Sequence, residues 1–304
     1  MEERKTSLGH LSALVTILIW GVTFISTKVL LQSLSPVEIL LIRFTMGYAG
    51  LWLVYPHLIK LRRMREELLL AGAGLCGVTL YFLFENYALD FSLASNVGVI
   101  VAIAPLFTAI LSSIFLKEDR LSPQFLAGFL LSISGIILIS FNGSFLLKLN
   151  PLGDILAVLA AAVWAVYSII MRKISRFQLN TIAVTRKIFF YGLLFMMPVV
   201  WITGFNVTIA TFLSVTNLLN LLFLGLGASA MCYVTWNWSV GILGAVRTSA
   251  YIYLIPVIAV VASAIILHEQ ITWVAAWGCF LTLAGLVLSE RKVNLKIKER
   301  FATP

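Results

Sequence analysis

The sequence has few charged residues for its length. Asp, Glu, Lys and Arg make up 12% of its 304 residues, whereas 61% are hydrophobic. A soluble domain carries about twice that charged fraction. The mean hydropathy is +1.01. A protein of this composition could not cover its surface with polar groups in water, so the composition predicts a chain surrounded by lipid.

Residue patterns that carry chemistry are also scarce. The three cysteines, Cys76, Cys232 and Cys279, lie in apolar segments at no metal-ligand spacing, so we expect no metal, no cofactor and no disulfide. The His-Glu-Gln segment at 268–270 begins like a zinc-protease motif but lacks the second histidine. Neither a Gly-x-Ser-x-Gly motif nor a nucleotide-binding loop occurs. These absences predict no catalytic residues and leave an intramembrane enzyme as an alternative only.

Long apolar runs dominate the remainder of the chain. Each is near 20 residues and lacks the alternation of a barrel strand, so each predicts a transmembrane helix. The first run is too long for the core of a cleaved signal peptide. The predicted spans are 8–31, 37–57, 68–89, 92–116, 123–142, 151–172, 180–203, 215–241, 244–267 and 272–290.

The basic residues fall on one side of the predicted spans. The chain has 22 Lys and Arg against 13 Asp and Glu, a net charge of +9. With the amino terminus in the cytoplasm, sixteen Lys and Arg lie in inner segments and only Lys148 lies in an outer one. This bias predicts an even span count and both termini in the cytoplasm of a plasma-membrane protein. The charge therefore reports topology, and we expect no nucleic-acid partner.

An internal repeat divides the chain into halves. Residues 81–120 match residues 232–271 at a constant shift of 151, so that Asn86 meets Asn237 and Pro105 meets Pro256. Each half carries five spans, and because five is odd the second half enters the membrane upside down. The predicted fold is an all-α membrane protein of ten transmembrane helices in two inverted five-helix repeats. The repeats are predicted at 1–145 and 146–304, the second ending in a short basic cytoplasmic tail.

Several short motifs occur in the same order in both halves. Span one contains Ile-Trp-Gly-Val-Thr-Phe at 19–24, with Trp-Ala-Val-Tyr at 164–167 as its equivalent. Through these motifs and the matched prolines, residues 8–290 resemble the drug/metabolite transporter superfamily, specifically its ten-helix EamA-type branch. The resemblance implies a central cavity between two repeats and the export or exchange of small metabolites. Amino acids and cationic or aromatic compounds are typical cargoes of that family.

Ionisable residues inside spans are costly and need an explanation. Glu85 is the one carboxylate well inside a predicted span, and Tyr81 lies one turn before it on the same face. Glu85 either attracts a substrate ammonium or cycles a proton, or it forms an ion pair with Arg43 or Lys28. Arg43 and its repeat equivalent Arg186 are assigned to the scaffold, because a repeated residue serves a feature that both halves share.

Aromatic and polar residues share helix faces in several spans. In span one, Thr16, Trp20, Thr23 and Thr27 form a polar stripe at helical spacing. Aromatic rings beside a carboxylate suit a cationic or aromatic substrate, although packing explains any single ring equally well. We predict a cavity between spans one, three, six, eight and nine. Its candidate substrate-binding residues are Trp20, Thr23, Tyr81, Glu85, Trp164, Tyr167, Tyr233, Asn237 and Tyr253.

Pro105 and Pro256 lie in mid-span at matched positions and bend their helices. The bends act either as hinges or as fixed features of the bundle. The sequence therefore predicts a secondary transporter that exports a small metabolite by alternating access, with a channel-like facilitator as a further alternative. Its predicted partners are the substrate and the lipid bilayer, and the protein is expected to be a monomer or a homodimer.

Overall fold

The computed structural model describes residues 2–59, 61, 63–92, 94–117, 122–141, 150–266 and 272–290. Within these ranges the regular structure is entirely helical. The principal helices are α1 (Glu2–Leu30), α2 (Pro36–Val54), α3 (Met64–Phe91), α4 (Ala94–Val101 and Ala104–Phe115), α5 (Pro123–Phe141), α6 (Pro151–Ser175), α7 (Thr181–Thr203), α8 (Val215–Leu243), α9 (Ala245–Ala250, Tyr251–Tyr253 and Leu254–Ile266) and α10 (Trp273–Glu290). A five-residue helix, Ile209–Leu213, precedes α8.

Seven helices in the described part of the chain are long and apolar enough to cross a membrane, namely α1, α2, α3, α4, α6, α7 and α8. Helices α5, α9 and α10 contribute shorter apolar segments. The prediction of an all-helical membrane protein is confirmed. The count of ten spans stays a prediction, since the apolar segments of α5, α9 and α10 have only 10–17 residues.

Side-chain caps fix where several helices begin. Ser35 and Glu38 form a capping box at the start of α2, and Pro36 occupies the first turn, where its missing N–H costs nothing. The side chains of Asn150, Asn180 and Ser214 accept hydrogen bonds from the first turns of α6, α7 and α8. These caps explain why the observed starts lie within one residue of the predicted ones.

Gly244 separates α8 from α9, two helices that the apolar pattern leaves nearly continuous. Its φ is 90°, a left-handed conformation that glycine adopts without a steric penalty. Helix α8 ends at Leu243 and α9 begins at Ala245. A residue with a Cβ would be strained at this position.

Helical irregularities occur at matched positions in the two halves. Helix α3 is π-helical over Leu75–Leu80, and α8 is π-helical over Phe223–Met231. Helix α4 is interrupted at residues 102–103, and α9 is 3₁₀-helical over Tyr251–Tyr253. The 151-residue shift maps residues 75–80 onto 226–231 and residues 102–103 onto 253–254, so the two segments of each pair overlap. The interruptions in α4 and α9 precede prolines, which lack the N–H that would bond one turn back.

Helices α5 and α10 pack with their backbones in contact. A Cβ added at Gly128 would lie 2.6 Å from the carbonyl oxygen of Gly285, and one added at Gly135 would lie 2.5 Å from that of Gly278. Small residues allow this approach between helices in lipid, where close packing rather than the hydrophobic effect drives association. The paired positions show that the two helices run antiparallel.

The outer surface of the bundle is apolar, and several large aromatic side chains are fully buried inside it. Leu53, Trp201 and Trp273 are each more than 80% exposed. In a soluble protein such exposure would mark an apolar patch prone to association or aggregation. Here the exposed side chains form a lipid-facing surface. The largest fully buried side chains include Trp236, Tyr167, Tyr233, Tyr253, Phe44 and Phe189.

Candidate functional site

A cavity lies between α1, α2, α3, α4, α6 and α9. It extends along α1 from Trp20 to Thr27 and along α3 from Tyr81 to Leu89, toward the carboxyl ends of both helices. Its polar lining is Thr23, Thr27, Arg43, Tyr81 and Glu85. Its apolar lining is Trp20, Phe82, Leu89, Gly98, Val101, Ala102, Trp164, Ile252, Ile255 and Pro256.

Glu85 provides the carboxylate of this cavity. Its side chain is 8% exposed, and the Tyr81 hydroxyl donates a hydrogen bond to Glu85 Oε1 at 2.8 Å. Tyr81 is the first residue after the π-helical segment of α3. Such segments alter the direction of the side chains that follow and often occur at functional sites. The structure thus brings Tyr81 and Glu85 together on the cavity wall, as their spacing predicts.

Arg43 provides a guanidinium on the same wall. It is 3% exposed, its Nε donates to Ser229 Oγ at 2.9 Å, and its Cζ lies 4.5 Å from the ring centroid of Phe82. Among the described side chains, no Arg43 nitrogen lies within 4.0 Å of a Glu85 carboxylate oxygen. The ion pair between Arg43 and Glu85 is therefore not formed. The side chain of Lys28, the other expected partner, lies outside the described residues.

Trp20 and Trp164 form the aromatic wall. Their ring centroids are 5.4 Å apart in an edge-to-face arrangement, and the Tyr81 ring lies 4.8 Å from that of Trp164. Trp20 Nε1 donates to the carbonyl oxygen of Ala228 at 2.9 Å. Thr23 also lines the cavity, and its hydroxyl donates to the Trp20 carbonyl oxygen at 2.7 Å.

Four other predicted site residues do not line the cavity. Tyr167, Tyr233, Asn237 and Tyr253 are packed beside it, each with no more than 3% of its surface exposed. The Tyr167 hydroxyl donates to Asn237 Oδ1 at 2.6 Å, and the Tyr233 hydroxyl donates to the carbonyl oxygen of Gly77. Span eight was expected on the wall. It instead contributes Tyr233, Trp236 and Asn237 to a packed layer that also contains Tyr167 and Tyr253. Helices α2 and α4 complete the wall.

The two predicted hinge prolines have different surroundings. Pro256 lines the cavity beside Ile252 and Ile255, whereas Pro105 is buried at the start of the second segment of α4. Both prolines follow an interruption of regular α-helix, at residues 102–103 in α4 and Tyr251–Tyr253 in α9, and their hinge role stays a prediction.

A second, more polar cavity lies between α6, α7 and α8. Ser175, Gln178, Thr181, Asn237 and Trp238 are among its lining residues. Along α6, Ser175 is eleven residues beyond Trp164, which corresponds to about 16 Å of helix. Asn237 lines this second cavity and bonds to Tyr167, whose ring centroid lies 5.0 Å from that of Trp164. The packed layer therefore separates the two cavities.

Sequence reasoning missed Arg43 as a cavity residue. Its match with Arg186 pointed to a shared scaffold role, yet the two side chains have different surroundings. A usable signal was the opposite charge of Arg43 and Glu85 in neighbouring spans. Among the side chains that the structure describes, the cavity presents one cation, one anion, hydroxyls and ring faces to a small molecule. Among the described residues, no three His, Cys, Asp or Glu side chains are grouped as a metal site would require.

Comparisons with known proteins agree with this architecture. The family model described as the EamA-like transporter family matches residues 7–141 and again residues 151–291. A relative named an uncharacterized transporter, from Archaeoglobus fulgidus, is 28% identical over 94% of this chain and 98% of its own length. A solved crystal structure with 21% sequence identity superposes with a TM-score of 0.74 over 93% of this chain and 97% of the other. That likeness supports the fold.

Two further relatives carry names that describe a cargo. A probable amino-acid metabolite efflux pump from Escherichia coli is 26% identical and covers 91% of this chain and 93% of its own length. A probable terminal-alkyne amino-acid exporter from Streptantibioticus cattleyicolor is 26% identical and covers 99% of both chains.

Proposed function

The chain belongs to the EamA-like transporter family, and on that premise we propose that it exports a small metabolite across the plasma membrane by alternating access. The cargo is an amino acid or another aromatic or cationic compound. The observation that carries the proposal is the cavity, which extends toward one end of the bundle and is sealed from the opposite end by packed aromatic rings. Because the family consists of transporters, an intramembrane enzyme is no longer an alternative.

The proposed architecture is ten spans in two inverted repeats. Reciprocal contacts support it, because Gly128 meets Gly285 and Gly135 meets Gly278. Beyond residue 120 the sequence match continues at a shift of 150, which equates Gly128 with Gly278 and Gly135 with Gly285. Two equivalent helices related by a twofold axis make this kind of exchange of partners. The matched π-helical segments and the double match to one family model also support the repeat.

Alternating access is supported by how the repeat equivalents of four cavity residues are packed. Each equivalent is a large aromatic side chain with none of its surface exposed. The pairs, cavity residue first, are Thr23 and Tyr167, Phe82 and Tyr233, Glu85 and Trp236, and Ala102 and Tyr253. The space that corresponds to the cavity in the other half is therefore filled, and the reverse arrangement of the halves would open it.

The charge bias orients this state in the membrane. With the basic segments inside, α1 and α3 end at the outer surface, so the cavity faces outward. The second cavity, near Ser175 and Gln178, then faces the cytoplasm. An exporter must accept its cargo from that inner side, and the packed layer is the barrier that has to open.

Counterflow in proteoliposomes tests the proposal. A carrier gives slow, saturable exchange of a labelled substrate, whereas a channel-like facilitator gives fast conductance. Gly98 lines the cavity, and a Cβ added there would meet nothing within 4 Å. Gly98→Ala should fold normally, and Gly98→Leu should fold but fill the cavity and reduce counterflow by tenfold or more. Full counterflow by the leucine variant would place the transport path elsewhere.

A further inference from the structure

We propose that Arg43 is a specificity-determining residue that binds the carboxylate of a zwitterionic substrate whose ammonium is bound by Glu85. The inference rests on the proposed transport function and deepens it. Two side chains of opposite charge line one cavity, and they do not neutralise each other through direct contact. A ligand that carries both charges would give each of these side chains an oppositely charged partner.

The hydrogen bonds of Arg43 leave part of its guanidinium available. A guanidinium has five N–H donors. Nε–H bonds to Ser229 Oγ, and the rings of Phe82 and Phe44 lie 4.5 and 5.3 Å from Cζ. Among the described residues, none accepts a hydrogen bond from the Nη atoms. A buried charged group without acceptors is costly, so an incoming carboxylate would be bound in the bidentate geometry that arginine favours.

Arg186, the repeat equivalent of Arg43, shows how a scaffold arginine differs. Its Nη1 donates to the carbonyl oxygen of Tyr55, and its Nη2 donates to that of His57 at 2.6 Å. Its Cζ lies 4.0 Å from the Trp52 ring centroid. The donors of Arg186 therefore hold the chain that follows α2. The equivalent donors of Arg43 face a cavity, so the shared position serves different purposes in the two halves.

The remainder of the wall defines the third part of the ligand. Trp20 and Trp164 present rings, and Val101, Ile252 and Ile255 present aliphatic surface. An ammonium and a carboxylate on one carbon, attached to an apolar or aromatic side chain, match these three surfaces. An amine without a carboxylate would leave Arg43 unpaired, and a carboxylic acid without an amine would leave Glu85 unpaired. Either mismatch weakens binding, because a buried partner is left without its counter-charge.

Competition in counterflow tests this assignment. Labelled L-phenylalanine is exchanged in the presence of unlabelled phenylalanine, phenylalaninamide or 3-phenylpropanoate. We expect wild-type protein to prefer the zwitterion to the amide by tenfold or more. Arg43→Gln should reduce that preference to about twofold or less, and Arg43→Lys should restore part of it because the charge returns without the planar fork. Arg186→Gln is the matched control, which should lower the melting temperature and keep the preference.

Several results would overturn the assignment. A folded Arg43→Gln protein that still prefers the zwitterion tenfold would contradict it. If that variant does not fold, equal inhibition of the wild type by phenylalanine and its amide would contradict it as well. Ligand-induced shifts in melting temperature in detergent measure the same preference without transport. A preference seen there without counterflow would reject the proposed transport function and retain the role of Arg43.

Discussion

Glu85 differs from its repeat equivalent, Trp236, in a way that the bundle itself does not require. Trp236 is fully buried and its ring centroid lies 5.1 Å from that of Trp20, so it helps to fill the packed layer. Glu85 lines the cavity and is bonded by Tyr81. Glu85 forms no direct ion pair with Arg43, and its hydrogen-bond partner Tyr81 belongs to the same helix, so neither residue bonds Glu85 to a neighbouring helix. Under the proposed function, a ligand or a proton explains why a carboxylate lies within a membrane-spanning helix.

Glu85→Gln is therefore expected to remove function and spare the fold. The amide keeps the shape and can still accept the Tyr81 hydrogen bond, so the melting temperature should stay near that of wild type. In wild type, uptake of a cationic probe should weaken as pH falls, because protonation removes the negative charge. In the variant, transport should be lost or its pH profile should be flat. Proteoliposome flux across a pH series measures this.

Glu67→Gln is the matched control on the same helix. Glu67 is half-buried, pairs with Lys187 at 2.8 Å and accepts a hydrogen bond from Tyr191. A partly exposed pair of this kind contributes about 0–1 kcal/mol to stability. The control should lose a little stability and keep the wild-type pH profile. A Glu85→Gln protein with normal transport, an unchanged pH profile and a lower melting temperature would support the ion-pair account.

The sequence predicted some cavity residues and not others for a physical reason. Trp20, Tyr81 and Glu85 are visible because helical spacing and the rarity of carboxylates in spans single them out. Tyr167 and Tyr233 carry similar patterns, since the repeat copies the same faces into both halves. Under the alternating-access proposal, which copy is open and which is packed depends on the conformational state, and no spacing in the sequence encodes it.

Helices α6, α7 and α8 are joined by a chain of hydrogen bonds through the packed layer. The Tyr167 hydroxyl donates to Asn237, and Asn237 Nδ2 donates to Thr185 Oγ1 at 3.1 Å. Each residue belongs to a different helix, so an opening on this side must break the chain. Cys232, the repeat equivalent of Tyr81, is fully buried next to the layer. In the reverse state it would line the inner cavity.

Tyr167→Phe should open the layer more often. Removing one hydrogen bond costs about 1 kcal/mol, which corresponds to about a fivefold change in population. With Cys76 and Cys279 replaced by serine, labelling of Cys232 from the inner side should accelerate by a similar factor. Tyr253→Phe is the control, because that hydroxyl has no hydrogen-bond partner among the described residues. Equal labelling rates in the two variants would remove the hydrogen-bond chain from the gate.

Replacing a glycine with alanine should destabilise the protein at the contact between α5 and α10, and should not do so at a glycine whose neighbours leave room for a methyl group. Gly135→Ala places a methyl group against the backbone of Gly278, so the helices must separate, at a cost of about 1–3 kcal/mol. Gly72→Ala brings its methyl group to 3.6 Å from Ile170 Cδ1, an ordinary contact, and should be neutral or slightly stabilising. Melting temperatures in detergent measure both. Equal melting temperatures for the two variants would show that α5 and α10 tolerate separation.

At the scale of the whole molecule, hydropathy located the helices but not their irregularities. Helix α1 begins at Glu2, before the predicted start at residue 8, because its first turns are polar and hydropathy does not register them. The interruption of α4 follows from Pro105. The π-helical segments have no such marker, since one extra residue in a turn leaves composition unchanged. The break between α8 and α9 lies at Gly244, next to the predicted boundary between residues 241 and 244.

The charge bias makes a prediction for the orientation of the entire chain. A cysteine at Gln270 should react with an impermeant reagent added outside intact cells, and one at Gln178 should react only after the membrane is opened. Gln270 lies outside the described residues, and Gln178 lies between α6 and α7. Labelling of Gln270→Cys from the cytoplasm would contradict the inverted topology.

The reciprocal glycine contacts also bear on how such a chain could be assembled from separate pieces. Gly128 against Gly285 and Gly135 against Gly278 form a self-complementary surface, as two identical copies set antiparallel in a membrane would make. Residues 142–149 link the halves. The link then raises the local concentration of each half near the other, whereas the glycine surface determines which helices pair. Two half-length polypeptides inserted in opposite orientations would find the same partner surface. Their opposite insertion would depend on the placement of lysine and arginine in the loops of each piece.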